Sequence, residues 1–463
     1  MISLFCTTKT CIHIKRLKHA AKKHFMRKLV RRVFNAPMHY LFPLISLFFS
    51  CNKGFADDAQ SLDLFTMVVP NTFNYATSSK VNIDYTLQTK DGKPLDKKMV
   101  QLLDKPLSEG GEILYQGLTD KDGHIEQNIS LPTHVNQVIF DYGIGGNHTT
   151  QTASVGAQRI VSNMSTSIST ASKDTDGDGV IDDYDDFPND PKRAYISWAP
   201  AKETYGTITY EDAWPNLGDY DMNDLVVDYN YQFVLNADND VVEMYGEYVV
   251  RASGAANKNG FGVEFPFPPS SVTSVTGTRV INNKVVKFSS NGCEAGQKLA
   301  VFIAFDDAYS VMPVPNSWEY INTQKNAAFI KPDTIKMKMS FTRLIDPDLL
   351  GSVPFNPFIF VNKERGREVH IPGETPTDLA TKSYFKTGVD DTDPARRRYY
   401  KTARNLPFAL ALPAKFTYPI ERHIISGAYL RFIPWSQSNG VLFPNWYRVN
   451  IPAYRNTVDL YLK

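Results

Sequence analysis

Apolar and polar residues alternate with a period of two in one segment after another, the spacing of strands that bury one face. The runs Val81 to Leu87, Gly123 to Leu131 and Val138 to Tyr142 have it, and the turn-forming stretches Lys90 to Pro94 and Thr119 to Gly123 punctuate them. Short strands at this spacing predict an immunoglobulin-like β-sandwich over 57–150. The alternation resumes at Leu225 to Leu235, Val241 to Val250, Leu299 to Phe305 and Ile335 to Phe341, and no segment keeps a long 3.6-residue period. The fold class is therefore all-β, with a second, larger β-sandwich over 193–463. Between the two lies 151–173, rich in Ser, Thr and Ala and without periodicity, which reads as a linker. An Asp-rich loop follows at 174–192.

The first residues obey different rules. Basic side chains crowd Lys15 to Arg32, and an apolar run from Tyr40 to Phe49 follows. That run is shorter than the roughly 20 apolar residues a membrane span needs. Gly54 and Ala56 then place small side chains before Asp57. Residues 1–56 read as a secretory signal peptide cut after Ala56, with translation starting at Met1 or at Met26. The stretch Leu47 to Cys51 also resembles a lipoprotein signal, with Ser50 before the cysteine, though Phe48 and Phe49 are bulky for one. Cys51 is then either a lipid anchor or part of the discarded peptide. Either way the chain is exported, to the cell envelope or beyond it, with no membrane span in the mature part.

Removing the leader changes the charge. It holds 11 of the 50 basic residues and none of the 49 acidic ones, so residues 57–463 carry 39 against 49, a net of −10. Nucleic-acid binding needs a basic patch and is excluded as an expectation; divalent cations fit better. Cys293 is the only cysteine after Ala56, so the mature chain has no internal disulfide.

The acidic loop has the spacing of an oxygen-ligand cage. Asp174, Asp176, Asp178, Asp182 and Asp185 stand at positions one, three, five, nine and twelve, and Gly179 at position six supplies the sharp turn. The Val180 carbonyl would be the main-chain ligand. Position twelve is Asp rather than the longer Glu, and Asp183, Asp186 and Asp190 are within reach of a second ion. A solvated acidic linker is the plain alternative, but two carboxylates about 4 Å apart repel by roughly 1–4 kcal/mol, and Val180, Ile181, Phe187 and Pro188 look like apolar anchors. Calcium is the expected cofactor. The segment resembles a single unit of the thrombospondin type 3 repeat, whose Asp-rich loops end in a similar Asp-x-Phe-Pro.

A second group of oxygen-bearing side chains, Asp219, Asp221, Asn223 and Asp224, stands just ahead of the strong strand at Leu225, with Glu211 and Asp212 nearby. They read either as another cation site or as caps and turns at a strand entrance. The pattern from Glu211 through Trp214 and Pro215, then from Gly218 to Tyr229, resembles the signature of LruC-domain proteins, which are bacterial envelope or secreted proteins. Gly366 to Ala380 and Arg398 to Tyr429, including Phe416 to Glu421, fit the same family, with Phe408 where Trp is expected. The resemblance covers about 195–463. It implies export, β architecture and an Asp-rich loop upstream, and it implies no particular activity.

No nucleophile elbow, zinc-binding helix or phosphate-cradling loop is present. Cys293 reads as a buried small hydrophobe, and His370 as a strand residue. Asp306 and Asp307, and Asp390, Asp391 and Asp393, either supply paired carboxylates for glycoside hydrolysis or turn strand ends. Trp435 and Trp446 either stack on glycans or pack in a core. The function expected is that of a non-enzymatic, calcium-stabilised exported protein. It would bind a protein or glycan partner or build the cell surface, with calcium ordering a hinge between its β domains. The alternative is a carbohydrate-binding or carbohydrate-active protein using acidic residues of its C-terminal domain.

Overall fold

In the computed structural model, which describes residues 63–463 except 145–146, 157–158, 167–172, 255 and 317–319, the period-two segments are strands. The leader, with Met26, Cys51 and Ala56, lies outside the described residues. The first seven strands are β1 (Ser78–Thr89), β2 (Met99–Leu103), β3 (Ile113–Leu118), β4 (His124–Pro132), β5 (Gln137–Ile144), β6 (Asn147–Ser154) and β7 (Arg159–Thr166). They form two sheets, β4-β1-β7 and β3-β2-β5-β6. Alternation along β1 turns Val81, Ile83, Tyr85 and Leu87 inward, where they meet Leu102 and Phe140 of the facing sheet. The Tyr85 and Phe140 rings stack with centroids 4.6 Å apart. This is a β-sandwich, but its strand order differs from the immunoglobulin one. Here β1 lies between β4 and β7, parallel to β7, and β2 lies between β3 and β5.

Two expected boundaries are corrected. The stretch 151–173 is not simply a linker: β6 runs to Ser154, and β7 occupies 159–166 with eight residues paired to β1. Its inward positions are Ile160, Ser162, Met164 and Thr166. The two hydroxyls are satisfied inside, Ser162 by Gln151 at 2.8 Å and Thr166 by Thr149 at 3.1 Å. A strand whose buried face is half hydroxyl shows no hydropathy alternation, which is why composition suggested a tether. At the other end, residues 63–77 do not belong to the sandwich. Leu64, Met67, Val69, Phe73 and Tyr75 are buried in a core formed with Phe432, Trp435 and Trp446.

The larger body holds β8 (Tyr195–Ala199), β9 (Gly206–Tyr210), β10 (Leu225–Leu235), β11 (Val241–Ala252), β12 (Gly260–Glu264), β13 (Val272–Thr276), β14 (Val301–Phe305), β15 (Asp333–Ile345), β16 (Asn356–Phe360), β17 (Glu368–His370) and β18 (Ala409–Leu412). One sheet runs β13-β15-β11-β10-β9-β18, with β8 also pairing with β10, and a second runs β14-β12-β16-β17. Tyr231, Tyr248, Met337 and Met339 of the first and Phe261, Val263, Phe302 and Ile359 of the second belong to one core. The first half of β10 is buried on both faces, because Val226, Leu410 and Leu412 pack under the aromatic C-terminal segment. Among the described residues the longest helix is Phe432–Gln437, and no helix is long and apolar enough to cross a membrane.

Candidate metal centres

The Asp-rich loop is folded, and its anchors are the apolar flanks. Val180 is fully buried in the large core, which also takes in Met99 and Leu118 of the first sandwich and Tyr195 of β8. The Tyr184 hydroxyl donates to the Gly143 carbonyl at 2.8 Å. Asp186 is fixed to the other body: its N–H donates to the Ala194 carbonyl at 2.7 Å, and its Oδ2 accepts from the Ile196 N–H at 2.8 Å. The loop is thus fastened to both bodies. Gly177 and Gly179 take φ of 81° and 97°, left-handed values that favour glycine.

These turns gather three of the expected ligands. Asp174, Asp176 and Asp178 each bring a carboxylate oxygen to within 4.8 Å of the others. Asp174 accepts from the N–H groups of Gly177 (2.8 Å) and Gly179 (3.0 Å). Asp176 Oδ1 accepts from Asp178 N–H and Asp178 Oδ1 from Val180 N–H, which leaves Asp176 Oδ2 and Asp178 Oδ2 buried without a donor. Asp185 is buried nearby; desolvation, then the charges of Asp178 and Asp176, push its carboxyl up to about 6. Burial likewise raises Asp178. Among the described residues no Lys or Arg forms an ion pair with any of these four. Asp182 is not brought into the cluster: both its oxygens accept from Thr175, closing the base of the loop. Asp190 is paired with Arg193 at 2.8 Å.

The second group is deeper. The loop from Glu211 to Asp224 joins β9 to β10, and Tyr220 and Met222 take φ of 57° and 55° with their side chains fully buried in the aromatic core. Glu211 lies fully buried beneath, its two oxygens accepting from Met222 N–H (2.8 Å) and Tyr220 N–H (3.2 Å). Oxygens of Glu211, Asp219 and Asp221 lie within 4.8 Å of one another. Asp221 accepts from Asn223 N–H at 3.1 Å and from Arg422 N–H at 2.7 Å. The Asn223 amide donates to the Pro419 carbonyl at 3.1 Å, and its Oδ1, fully buried, meets no donor. An ideal Cβ on Gly254 would stand 1.8 Å from Asn223 Oδ1 and 2.9 Å from Glu421 Oε2, so those oxygens face the same small space. Asp224 sits behind, accepting from the Asp212 N–H at 2.8 Å, and Asp212 itself is held by Asn257 and Asn259.

The electrostatics follow from burial among like charges. Desolvation and the charge of Asp219 push Asp221 up to about 8 and Glu421 up to about 7. Glu211 and Asp224 are driven well above the carboxylate range by burial and by their acidic neighbours. The basic contact is Arg422, 3.9 Å from Glu421 Oε1 and largely in solvent. Glu211, expected near the group from the sequence, joins it in the fold, whereas Glu421 is a functional candidate that spacing did not single out, because nothing local ties it to Asn223.

The other candidates are engaged in the fold. Asp306 accepts from the Ile281 and Asn282 N–H groups, and Asp307 caps Tyr309 and pairs with Lys363 at 2.8 Å. Asp390 accepts from the Trp214 indole at 3.0 Å, Asp391 pairs with Arg398, and Asp393 caps Ala395. His370 is buried in β17 between Glu368 (2.9 Å) and Asn356 (2.6 Å). Cys293, Trp435 and Trp446 are fully buried. A cleft of about 110 Å³ remains between the two bodies, lined by Tyr115, Gln127, Trp198, Phe233 and Asp348 among others.

Comparison with known proteins adds the fold neighbours. Residues 239–447 match a domain of unknown function (DUF4842), and residues 77–164 match another (DUF8469). No curated protein matches the sequence. The chain is similar in fold to a "putative lipoprotein" from Bacteroides ovatus, with 16% identity and a TM-score of 0.51 over 79% of this chain and 100% of that one. A 9R-lipoxygenase from Cyanothece PCC8801 aligns over 39% of this chain and 41% of its own, at 10% identity and a TM-score of 0.16, too low to carry an argument. Beneath these comparisons the chain is an all-β protein with a DUF4842-like stretch in its larger body and a DUF8469-like first sandwich.

Proposed function

We propose that this is an exported, LruC-type envelope or secreted protein without catalytic activity. Calcium holds its two β bodies together, and its surface binds a protein or glycan partner or forms part of the cell surface. The observation that carries the reading is the pair of buried, donorless oxygens of Asp176 and Asp178, in a loop fastened to both bodies. Acceptor oxygens buried among like charges are costly unless something positive faces them. An all-oxygen set suits a hard cation, and an external millimolar calcium supply suits a module of modest affinity. The leader-like first 56 residues, the LruC-like motifs and a fold neighbour named as a lipoprotein support location in the envelope.

The test is direct. Purified 57–463 should melt at a higher temperature in calcium than in chelator. Cell fractionation should recover the full-length product outside the cytoplasm, and Cys51→Ser should release it from membranes if that residue carries the lipid. An unchanged melting temperature sinks the calcium reading, and a cytoplasmic product sinks export. Glycan binding has one observation of its own: the cleft between the bodies is lined by Trp198 and Tyr115, although the Gln127 and Asn128 amides there donate to Asp348 at 2.6 and 2.9 Å. A glycan array that stays dark for 57–463 would exclude it.

A further inference from the structure

We propose that Glu211, Asp219, Asp221, Asn223 and Glu421 form a second, buried calcium site, built independently of the Asp174 loop, that locks the C-terminal segment onto the sheet. Three carboxylates, those of Glu211, Asp219 and Asp221, gather within 4.8 Å of one another, and Asn223 Oδ1 and Glu421 Oε2 meet beside Gly254 next to them, so the set draws on three separate parts of the chain. Glu211 comes from the end of β9, the middle three from the loop before β10, and Glu421 from the C-terminal segment. The amide is the telling group. Asn223 is fully buried, and its NH₂ is committed to the Pro419 carbonyl, which fixes Oδ1 toward Glu421. That oxygen meets no donor, and the ionised form of Glu421, whose Oε2 accepts from the Thr323 hydroxyl at 3.3 Å and is only part-buried, cannot supply one. A cation bonded to both oxygens satisfies Asn223 Oδ1 when Glu421 is ionised; without it one buried acceptor stays unpaired.

The backbone is arranged to leave this space open. A Cβ on Gly254 would collide with Asn223 Oδ1, and one on Gly218 would stand 1.9 Å from Glu211 Oε2. Backbone N–H groups hold Glu211 and Asp221 in place, while the remaining lone pairs stay available. The donor set contains oxygen alone, which favours a hard cation over zinc. Glu211, Asp221 and Asn223 are buried, whereas Asp219 is exposed and Glu421 part-exposed, so the set is five protein oxygens open to solvent on one side. Magnesium keeps several waters in a strict octahedron, whereas calcium takes six to eight oxygens in flexible geometry.

Calcium itself is the probe, measured by equilibrium dialysis and elemental analysis on chelator-stripped 57–463. The variant D176N/D178N, which disables only the loop, should still bind one calcium. Adding Glu421→Gln on that background should weaken this binding at least tenfold. Hydrogen exchange on D176N/D178N should show calcium-dependent protection at 219–224 and 419–425, a readout that needs no change in the buried site. A D176N/D178N protein that binds no calcium, or that shows no protection there, overturns the site; so does unchanged affinity in the Glu421→Gln variant. Loss of one ion in D176N/D178N relative to wild type reports on the loop alone, so failure of the loop reading and failure of this one are separable.

Discussion

Replacing Asp176 and Asp178 together by Asn should raise the melting temperature of the calcium-free protein, although both residues sit in a folded, hydrogen-bonded loop. Oxygens of Asp174, Asp176 and Asp178 lie within 4.8 Å of one another. Two unit charges at that distance repel by about 1 kcal/mol in water and about 3–4 kcal/mol at a near-surface dielectric. The double substitution removes every pairwise repulsion in the triad. The side chains are partly exposed, so the lower end of the range applies, and the total is about 2–4 kcal/mol. Asn keeps an Oδ1 to accept from Asp178 N–H and Val180 N–H, at 3.2 and 2.8 Å in the native loop. For 57–463, about 400 residues, each kcal/mol moves the midpoint by about 1 °C, so the expected rise is about 2–4 °C. Calcium reverses the comparison of shifts. At about 10 mM, a site with a dissociation constant of ~0.1–1 mM contributes about 1.4–2.7 kcal/mol to the wild type, and the loop contributes nothing to the variant. Scanning calorimetry of both proteins in chelator and in calcium decides the matter. A variant that melts below the wild type in chelator, or that gains as much as the wild type from calcium, refutes the reasoning.

Stability of the chelated protein should fall as pH rises from about 4 to 8. Asp185, Glu421 and Asp221 are held up to about 6, 7 and 8 in the folded state, above the ~4 of an unfolded carboxyl. Their contribution is therefore full below the unfolded value and is lost as pH climbs through the folded ones. Melting curves at pH 5 and pH 8 should show the loss in chelator and a much smaller one in saturating calcium. Gly254→Ala should cost about 1–3 kcal/mol by overpacking and lower the calcium stoichiometry by one, checked by the same dialysis; an unchanged stoichiometry would separate Gly254 from the site. Phe73→Ala should cost about 3–5 kcal/mol. Its ring meets Trp435 edge-on at 4.9 Å, so a destabilised variant with red-shifted tryptophan emission is expected, and unaltered emission would place the 63–77 segment off the core.

Alternation was enough to read β1, β4 and β5 and, in the larger body, β10, β11, β14 and β15, because there the period of two survives in the sequence; the shorter β2 and β3 were not singled out. It failed at β7, where Ser162 and Thr166 are buried with partners supplied by Gln151 and Thr149. It could not assign Leu64 to Tyr75, whose apolar residues pack against helix Phe432–Gln437. For the acidic groups, spacing placed Asp174, Asp176 and Asp178 in one turn, since Gly177 and Gly179 force it locally.

What the sequence determined by itself was the all-β character and the local oxygen pattern, because both depend on neighbours a few residues apart. What only the tertiary structure decided was which oxygens converge. Asp182 turned back on Thr175, whereas Asn223 is held by Pro419, 196 residues further along. Glu421 faces the same space only because the aromatic C-terminal segment folds back over β10. The energy that brings such groups together is the burial of distant apolar side chains, and the residues it gathers carry no mark of it in the sequence around them.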